Sequence, residues 1–148
     1  SRTATCPRRT DADATMGACR TDRPLAARSN RPVTVIVVDA AVAVRTRLVS
    51  RLREAGLDVI GEATSVRAAL ELARTCAPRA IVVDIELPGH PGLSVISDLK
   101  LGVPDAALVV FTNASPYRRA CLAAGADGFL DKSSEFDSVA AAVLGLLA

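Results

Sequence analysis

Aromatic residues are nearly missing from this chain: 148 residues contain three phenylalanines, one tyrosine and no tryptophan. Half of the residues are nonetheless hydrophobic, so the core must be built from Ala, Val, Leu and Ile, which suits helices packed on a parallel sheet. No apolar run approaches the ~20 residues that cross a membrane. The first residues are polar and rich in arginine with no apolar stretch behind them, so no secretory signal is visible. There is one histidine, His90, and the four cysteines (Cys6, Cys19, Cys76, Cys121) form no CxxC pair. That spacing argues against a zinc site and against a disulfide framework, and reduced thiols in a cytoplasmic protein are the simplest account. Lysine is scarce as well, with only Lys100 and Lys132 beside sixteen arginines.

The charge is distributed unevenly. Residues 1–32 hold seven arginines against three aspartates, a balance of +4, whereas the remaining 116 residues carry −2. The first segment has almost no large apolar residue beyond Met16 and Leu25. It cannot bury enough surface to offset its ordering entropy and reads as a disordered Arg-rich tail. A solvated tail, or coding sequence ahead of a start at Met16, accounts for it better than a nucleic-acid or lipid contact. Residues 33–148 are long enough for one domain with a sizeable core.

From Val33 onward short apolar runs alternate with helical spacing. Val33–Val38 ends on Asp39; Val44, Leu48, Leu52 and Ala55 then follow helical spacing until Gly56. Leu57–Ile60 is a second strand, and Val66, Ala69, Leu70 and Ala73 mark a second helix, stopped before Pro78. Ala80–Val83 is a third strand, ending on Asp84 before a loop of two prolines and two glycines, Pro88-Gly89-His90-Pro91-Gly92. Leu93–Leu99 reads as a helix, Ala107–Phe111 as a strand ending on Thr112, Tyr117–Ala124 as a short helix and Gly128–Leu130 as a fifth strand leading to Lys132. In the last helix Ser133 or Ser134 is the expected cap, and Phe136, Val139, Ala140, Val143, Leu144 and Leu147 form the apolar stripe. Five strands, each followed by a helix, predict a parallel α/β sheet with right-handed crossovers and helices on both faces.

Four of these strands end on a polar group: Asp39, Asp84, Thr112 and Lys132. In a parallel sheet those ends share one edge, where open α/β sheets place their ligands. Two carboxylates there suit a hard divalent cation such as Mg²⁺. A carboxylate can attack phosphorus to give an aspartyl phosphate. The ammonium and the hydroxyl would then neutralise and hydrogen-bond the phosphoryl oxygens.

These residues resemble the receiver domain of bacterial two-component response regulators. The resemblance rests on Val35-Ile36-Val37-Val38-Asp39, on Ile81-Val82-Val83-Asp84 with Leu87-Pro88-Gly89 and Gly92, on Val109-Val110-Phe111-Thr112, and on Gly125-Ala126-Asp127-Gly128-Phe129-Leu130-Asp131-Lys132. It covers Val33–Ala148 and implies a flavodoxin-like, doubly wound five-stranded sheet of order 2-1-3-4-5. It implies further that Asp84 is the phosphoacceptor, that Asp39 and Asp84 hold Mg²⁺ with the backbone carbonyl of Glu86, leaving the Glu86 side chain free, and that Thr112 and Lys132 contact the phosphoryl group. Phe129 matches the aromatic whose rotamer follows the Thr112 hydroxyl.

Three positions depart from the pattern. Ala40 stands where the family has a second acid, the direct metal ligand of that loop, so Mg²⁺ is expected to be held weakly. Asn113 is larger than the small residue usual after the hydroxyl, and Ser133 replaces a proline. His90 reads as an exposed loop residue. Two functions follow: a phosphorylation-dependent switch taking phosphate from a histidine kinase or histidine phosphotransfer protein, or a pseudo-receiver acting as a phosphorylation-independent interaction module. In either case the chain is a signalling module that catalyses at most its own phosphoryl transfer and slow dephosphorylation. A hydrolase reading lacks an acid of the right length two residues after Asp84. With no helix-turn-helix or other nucleic-acid motif, the expected output is a protein contact through residues 115–147, unless the chain is a fragment of a larger regulator.

Overall fold

The structure, a computed structural model, describes residues 33–90, 92–113 and 115–147, with Ser115 by its backbone only. The expectations for residues 1–32 lie outside the described residues. The elements run β1 (Thr34–Val38), α1 (Val42–Glu54), β2 (Asp58–Ala63), α2 (Val66–Cys76), β3 (Ala80–Val83), α3 (Gly92–Gly102), β4 (Ala107–Thr112), a 3₁₀ turn (Ser115–Tyr117), α4 (Arg118–Ala123), β5 (Gly128–Asp131), a second 3₁₀ turn (Phe136–Ser138) and α5 (Val139–Leu147). All strands are parallel, in the order β2-β1-β3-β4-β5, as the resemblance implied.

Strand side chains alternate between two cores, as the period of two requires. Ile36, Val38, Ile81, Val83, Leu108, Val110 and Phe129 point to the face covered by α2, α3 and α4. Val35, Val37, Ala80, Val82, Val109, Phe111 and Leu130 point to the face covered by α1 and α5. Near-continuous Val/Ile runs are what a strand buried on both faces demands. The shortage of aromatics leaves the α1/α5 side one prominent ring pair, Phe111 and Phe136, packed edge to face with centroids 5.1 Å apart.

The structure corrects several boundaries. β2 covers Asp58–Ala63 rather than 57–60, because Gly61, Glu62 and Ala63 pair with Ile36, Val37 and Val38; pairing to a central strand overrides the weak strand preference of Gly and Glu. α3 extends to Gly102, and α4 is shorter than expected because Ser115–Tyr117 forms a 3₁₀ turn ahead of it. Neither Ser133 nor Ser134 caps the last helix. Asp131 instead accepts the Ser133 N–H at 2.8 Å and Glu135 accepts the Asp131 N–H at 2.9 Å, which closes a separate turn and delays α5 to Val139. Leu144, placed in the apolar stripe, is exposed. Reduced thiols hold for Cys121, which is free and buried, but not for Cys76, which is disulfide-bonded.

Candidate functional site

The carboxyl ends of β1, β3, β4 and β5 lie along one edge, and backbone pairing continues one residue past three of them. Asp39 donates its N–H to Ala63 O at 3.0 Å, Asp84 to Val38 O at 3.0 Å and Lys132 to Thr112 O at 3.0 Å. The first residue of each loop is therefore as fixed as the strand before it.

Each of the two aspartates then divides its oxygens between two tasks. Asp39 Oδ1 accepts the N–H of Ala41 at 2.9 Å, and Asp84 Oδ1 accepts the N–H of Glu86 at 2.9 Å. Both are the i to i+2 bonds by which Asp folds its own backbone into a turn. That leaves Oδ2 of each facing inward, and both meet one cation: Lys132 Nζ lies 2.7 Å from Asp39 Oδ2 and 2.7 Å from Asp84 Oδ2. These are charge-assisted distances. The three side chains are nearly enclosed, with 10% of Lys132, 3% of Asp39 and 8% of Asp84 exposed. Burial alone would lower the Lys132 pKa, but its hydrogen bonds to Asp39 and Asp84 and their negative charges outweigh it and raise the pKa above the ordinary lysine value.

Thr112 is fully buried at the end of β4, and its hydroxyl reaches Glu86 Oε1 at 3.4 Å, a long contact. The Glu86 side chain is thus directed at the threonine rather than free. Phe129 stands apart from the carboxylates, buried in the α2–α4 core, with the Arg118 guanidinium 5.4 Å over its ring. His90 is not simply exposed: it is partly buried, and its Nε2 pairs with Asp98 Oδ2 at 2.9 Å, tying the β3–α3 loop to α3. A pocket of about 350 Å³ opens beside the site, lined by Ile85, Glu86, His90, Gly92, Leu93 and Tyr117.

One residue at the site was not picked out by sequence reasoning. Arg45, on the first turn of α1, is buried; it donates from Nη1 to the Asp39 carbonyl at 2.8 Å and from Nε to Glu62 Oε1 at 3.0 Å. The only signal for it in the sequence is its place six residues after Asp39, which the frequency of arginine on this helix conceals.

The donor set fits Mg²⁺ in kind but sparsely. Asp39 and Asp84 supply hard oxygens from two loops, and Ala40 supplies none. Among the described residues no three acidic, histidine or cysteine side chains are grouped so as to hold a metal. No helix among them is long and apolar enough to cross a membrane.

Comparison with known proteins bears on this arrangement. The profile of the response regulator receiver domain matches residues 35–144. The response regulator GacA of Pseudomonas aeruginosa is 32% identical over 114 residues, covering 75% of this chain and 53% of GacA. The chain spans about half the length of the curated relatives it matches. Among solved structures, a two-component response regulator of the LuxR family from Aurantimonas sp. SI85-9A1 superposes with a TM-score of 0.69 at 28% identity, over 78% of this chain and 85% of that one. A response regulator from Burkholderia pseudomallei, with a phosphorylated aspartic acid, a calcium ion and citrate, superposes with a TM-score of 0.66 at 29% identity, over 75% of this chain and 66% of its own.

Proposed function

The chain belongs to the response regulator receiver domain family of two-component signalling, and from that membership we propose that it is a phosphorylation switch whose acceptor is Asp84. The observation that carries the reading is the meeting of Asp39 and Asp84, from different strands, on the single ammonium of Lys132. A receiver is a signalling module and not a classical enzyme; the transfer it performs is onto itself.

In the proposed step an Asp84 carboxylate oxygen attacks the phosphorus of a phosphohistidine on a kinase or phosphotransfer protein. The P–N bond breaks, its electron pair stays on the imidazole, and an acyl phosphate forms. Lys132 is already in place, and its ammonium pairs with the phosphoryl oxygens as the carboxylate charge is consumed. Thr112 donates its hydroxyl to a phosphoryl oxygen in exchange for its long contact with Glu86. Phe129 follows the threonine, and through Arg118 above its ring the change reaches residues 115–147, the proposed surface for a downstream protein. Output through that surface is protein contact rather than direct nucleic-acid contact. Receivers work in the cytoplasm beside their kinases, and we assign the chain there on that ground.

Mg²⁺, when bound, would supply positive charge to the phosphoryl oxygens. Asp39, Asp84 and the backbone carbonyl of Glu86 would hold it. With Ala40 in the loop the protein contributes one negative charge fewer, and an ion that dehydrates reluctantly is held correspondingly less.

Incubation with acetyl phosphate and Mg²⁺ followed by intact mass tests the proposal. Wild type should gain one phosphoryl group and Asp84→Asn none; wild type that gains nothing rejects it. Ala40 favours a second reading, a pseudo-receiver that keeps the fold and binds partners without phosphorylation. The same incubation distinguishes the two: a pseudo-receiver's wild-type chain stays unmodified while binding its partners, whereas in a working switch short of one charge Ala40→Asp should tighten Mg²⁺ and speed modification of Asp84. Should Glu86 already substitute for the missing acid, Glu86→Ala would instead remove most of the metal affinity.

A further inference from the structure

The loop after β1 carries Asp39 into the site but has almost no side chains with which to hold itself there. Ala40, Ala41, Val42 and Ala43 have no polar side-chain atom, the N-cap position Ala41 makes no side-chain cap bond, and the first turn of α1 contains no acid. Beyond Asp39 Oδ1, which takes the Ala41 N–H, such a start offers its first amides no side-chain acceptor. The Asp39 carboxylate, however, must be held closely enough for its Oδ2 to sit 2.7 Å from Lys132.

We propose that Arg45 is a positioning residue, which fixes the Asp39 backbone so that the Asp39 carboxylate is presented to Lys132 and to any cation held at the site. The proposal rests on reading Asp39 and Asp84 as the reactive pair. Asp39 is held at the peptide group on either side of its Cα: its N–H goes to Ala63 O at 3.0 Å, and its carbonyl accepts Arg45 Nη1 at 2.8 Å. Arg45 is in turn oriented by Glu62, whose Oε1 accepts Nε at 3.0 Å from the end of β2. A planar guanidinium delivers two hydrogen bonds in a fixed fork, which a lysine ammonium on a flexible stem does not reproduce. The side chain is 10% exposed; the bond to the Asp39 carbonyl is buried away from competing water, and the bond to Glu62, whose side chain is 31% exposed, is partly so. Arg45 donates to Glu62 and to the Asp39 carbonyl, not to either carboxylate of the Asp39–Asp84 pair; it acts through the Asp39 main chain.

Amide hydrogen exchange on the full chain, followed residue by residue by NMR, tests this. The reporters are the amides of Asp39 and Ala41, the latter held by Asp39 Oδ1, and the control is β3. In Arg45→Met the two reporter amides should exchange about tenfold faster while Ile81–Val83 remain as in wild type, and Mg²⁺ affinity should fall by about tenfold. Arg45→Lys, which keeps the charge but not the fork, should not restore either property. Should Arg45→Met fail to fold, Glu62→Leu removes the orienting acceptor instead and should shift the same reporters in the same direction. Wild-type exchange at Asp39 and Ala41 in Arg45→Met, equal acceleration in β3, or rescue by Arg45→Lys overturns the proposal. A wild-type chain that takes no phosphate from acetyl phosphate defeats the switch reading alone, since the exchange measurement judges Arg45 without it.

Discussion

At the residue scale the site is a problem of three buried charges. Asp39 and Asp84 each commit one oxygen to a local turn and one to Lys132. Removing the ammonium would leave two enclosed carboxylates facing one another without a counter-charge. Lys132→Met is therefore expected to destabilise the fold by about 3 kcal/mol near neutral pH, read as a shift in the urea midpoint. The pH dependence has a definite sign. The Lys132 pKa is raised in the folded state, so its contribution is fully present below the ordinary lysine value of 10.5 and is lost as pH climbs through the higher folded value. Wild type should lose stability steeply above pH 10.5, and Lys132→Met should show a shallower loss there; parallel curves for the two proteins would reject the assignment. Asp39, Asp84 and Thr112 were legible in the sequence because each closes an apolar run, and Lys132 because it follows the short fifth strand as one of two lysines. Arg45 was not, because one buried arginine among four on α1 reads like any solvated one.

At the element scale the strands followed from the pattern and their order from the family resemblance, while the ends did not. Boundaries failed where a partner decided the matter: β2 extends through Gly61 and Glu62 because β1 pairs with them, and α5 starts late because Asp131 and Glu135 build a turn of their own. The end of α2 offers a test of how much a single cap contributes. Ser65 caps its start, accepting the Ala68 N–H at 3.1 Å. Its C-terminus closes on Ala77 with φ at 48°, the described non-glycine residue with a left-handed backbone. A Cβ there meets the steric penalty that glycine avoids. Ala77→Gly is expected to stabilise the protein by about 1 kcal/mol, seen as a higher denaturant midpoint with an unchanged slope. A lower midpoint would mean that the loss of alanine's restricted unfolded chain outweighs the relief of strain.

At the scale of the whole molecule, the sheet separates two cores, and the proposed signal travels on one side of it. Phe129 lies in the core under α2, α3 and α4, and Arg118 covers its ring while lying 3.8 Å from Glu135. Arg118 and Arg119 are both exposed on α4, so that face is positively charged toward solvent. Reversing both, Arg118→Glu with Arg119→Glu, is expected to slow association with an acidic partner of the 115–147 surface by about tenfold at low salt and by less at high salt. Association rates measured across a salt series check this, and rates indifferent to the double reversal would take both arginines out of the contact.

The order of the strands has a consequence for how such a protein can change. The chain leaves β1 toward the face covered by α1 and leaves β3 toward the opposite face, so the two loops part between neighbouring strands. The crevice that results is a by-product of winding and requires no particular side chain at its mouth. Ala40 sits there exposed, and no core contact is lost through its small side chain. Chemistry at this edge and stability in the two cores are therefore drawn from separate sets of residues. A lineage carrying this fold can gain or lose a charge in the crevice by one substitution without first having to refold, and the acid absent at position 40 is a change of that inexpensive kind.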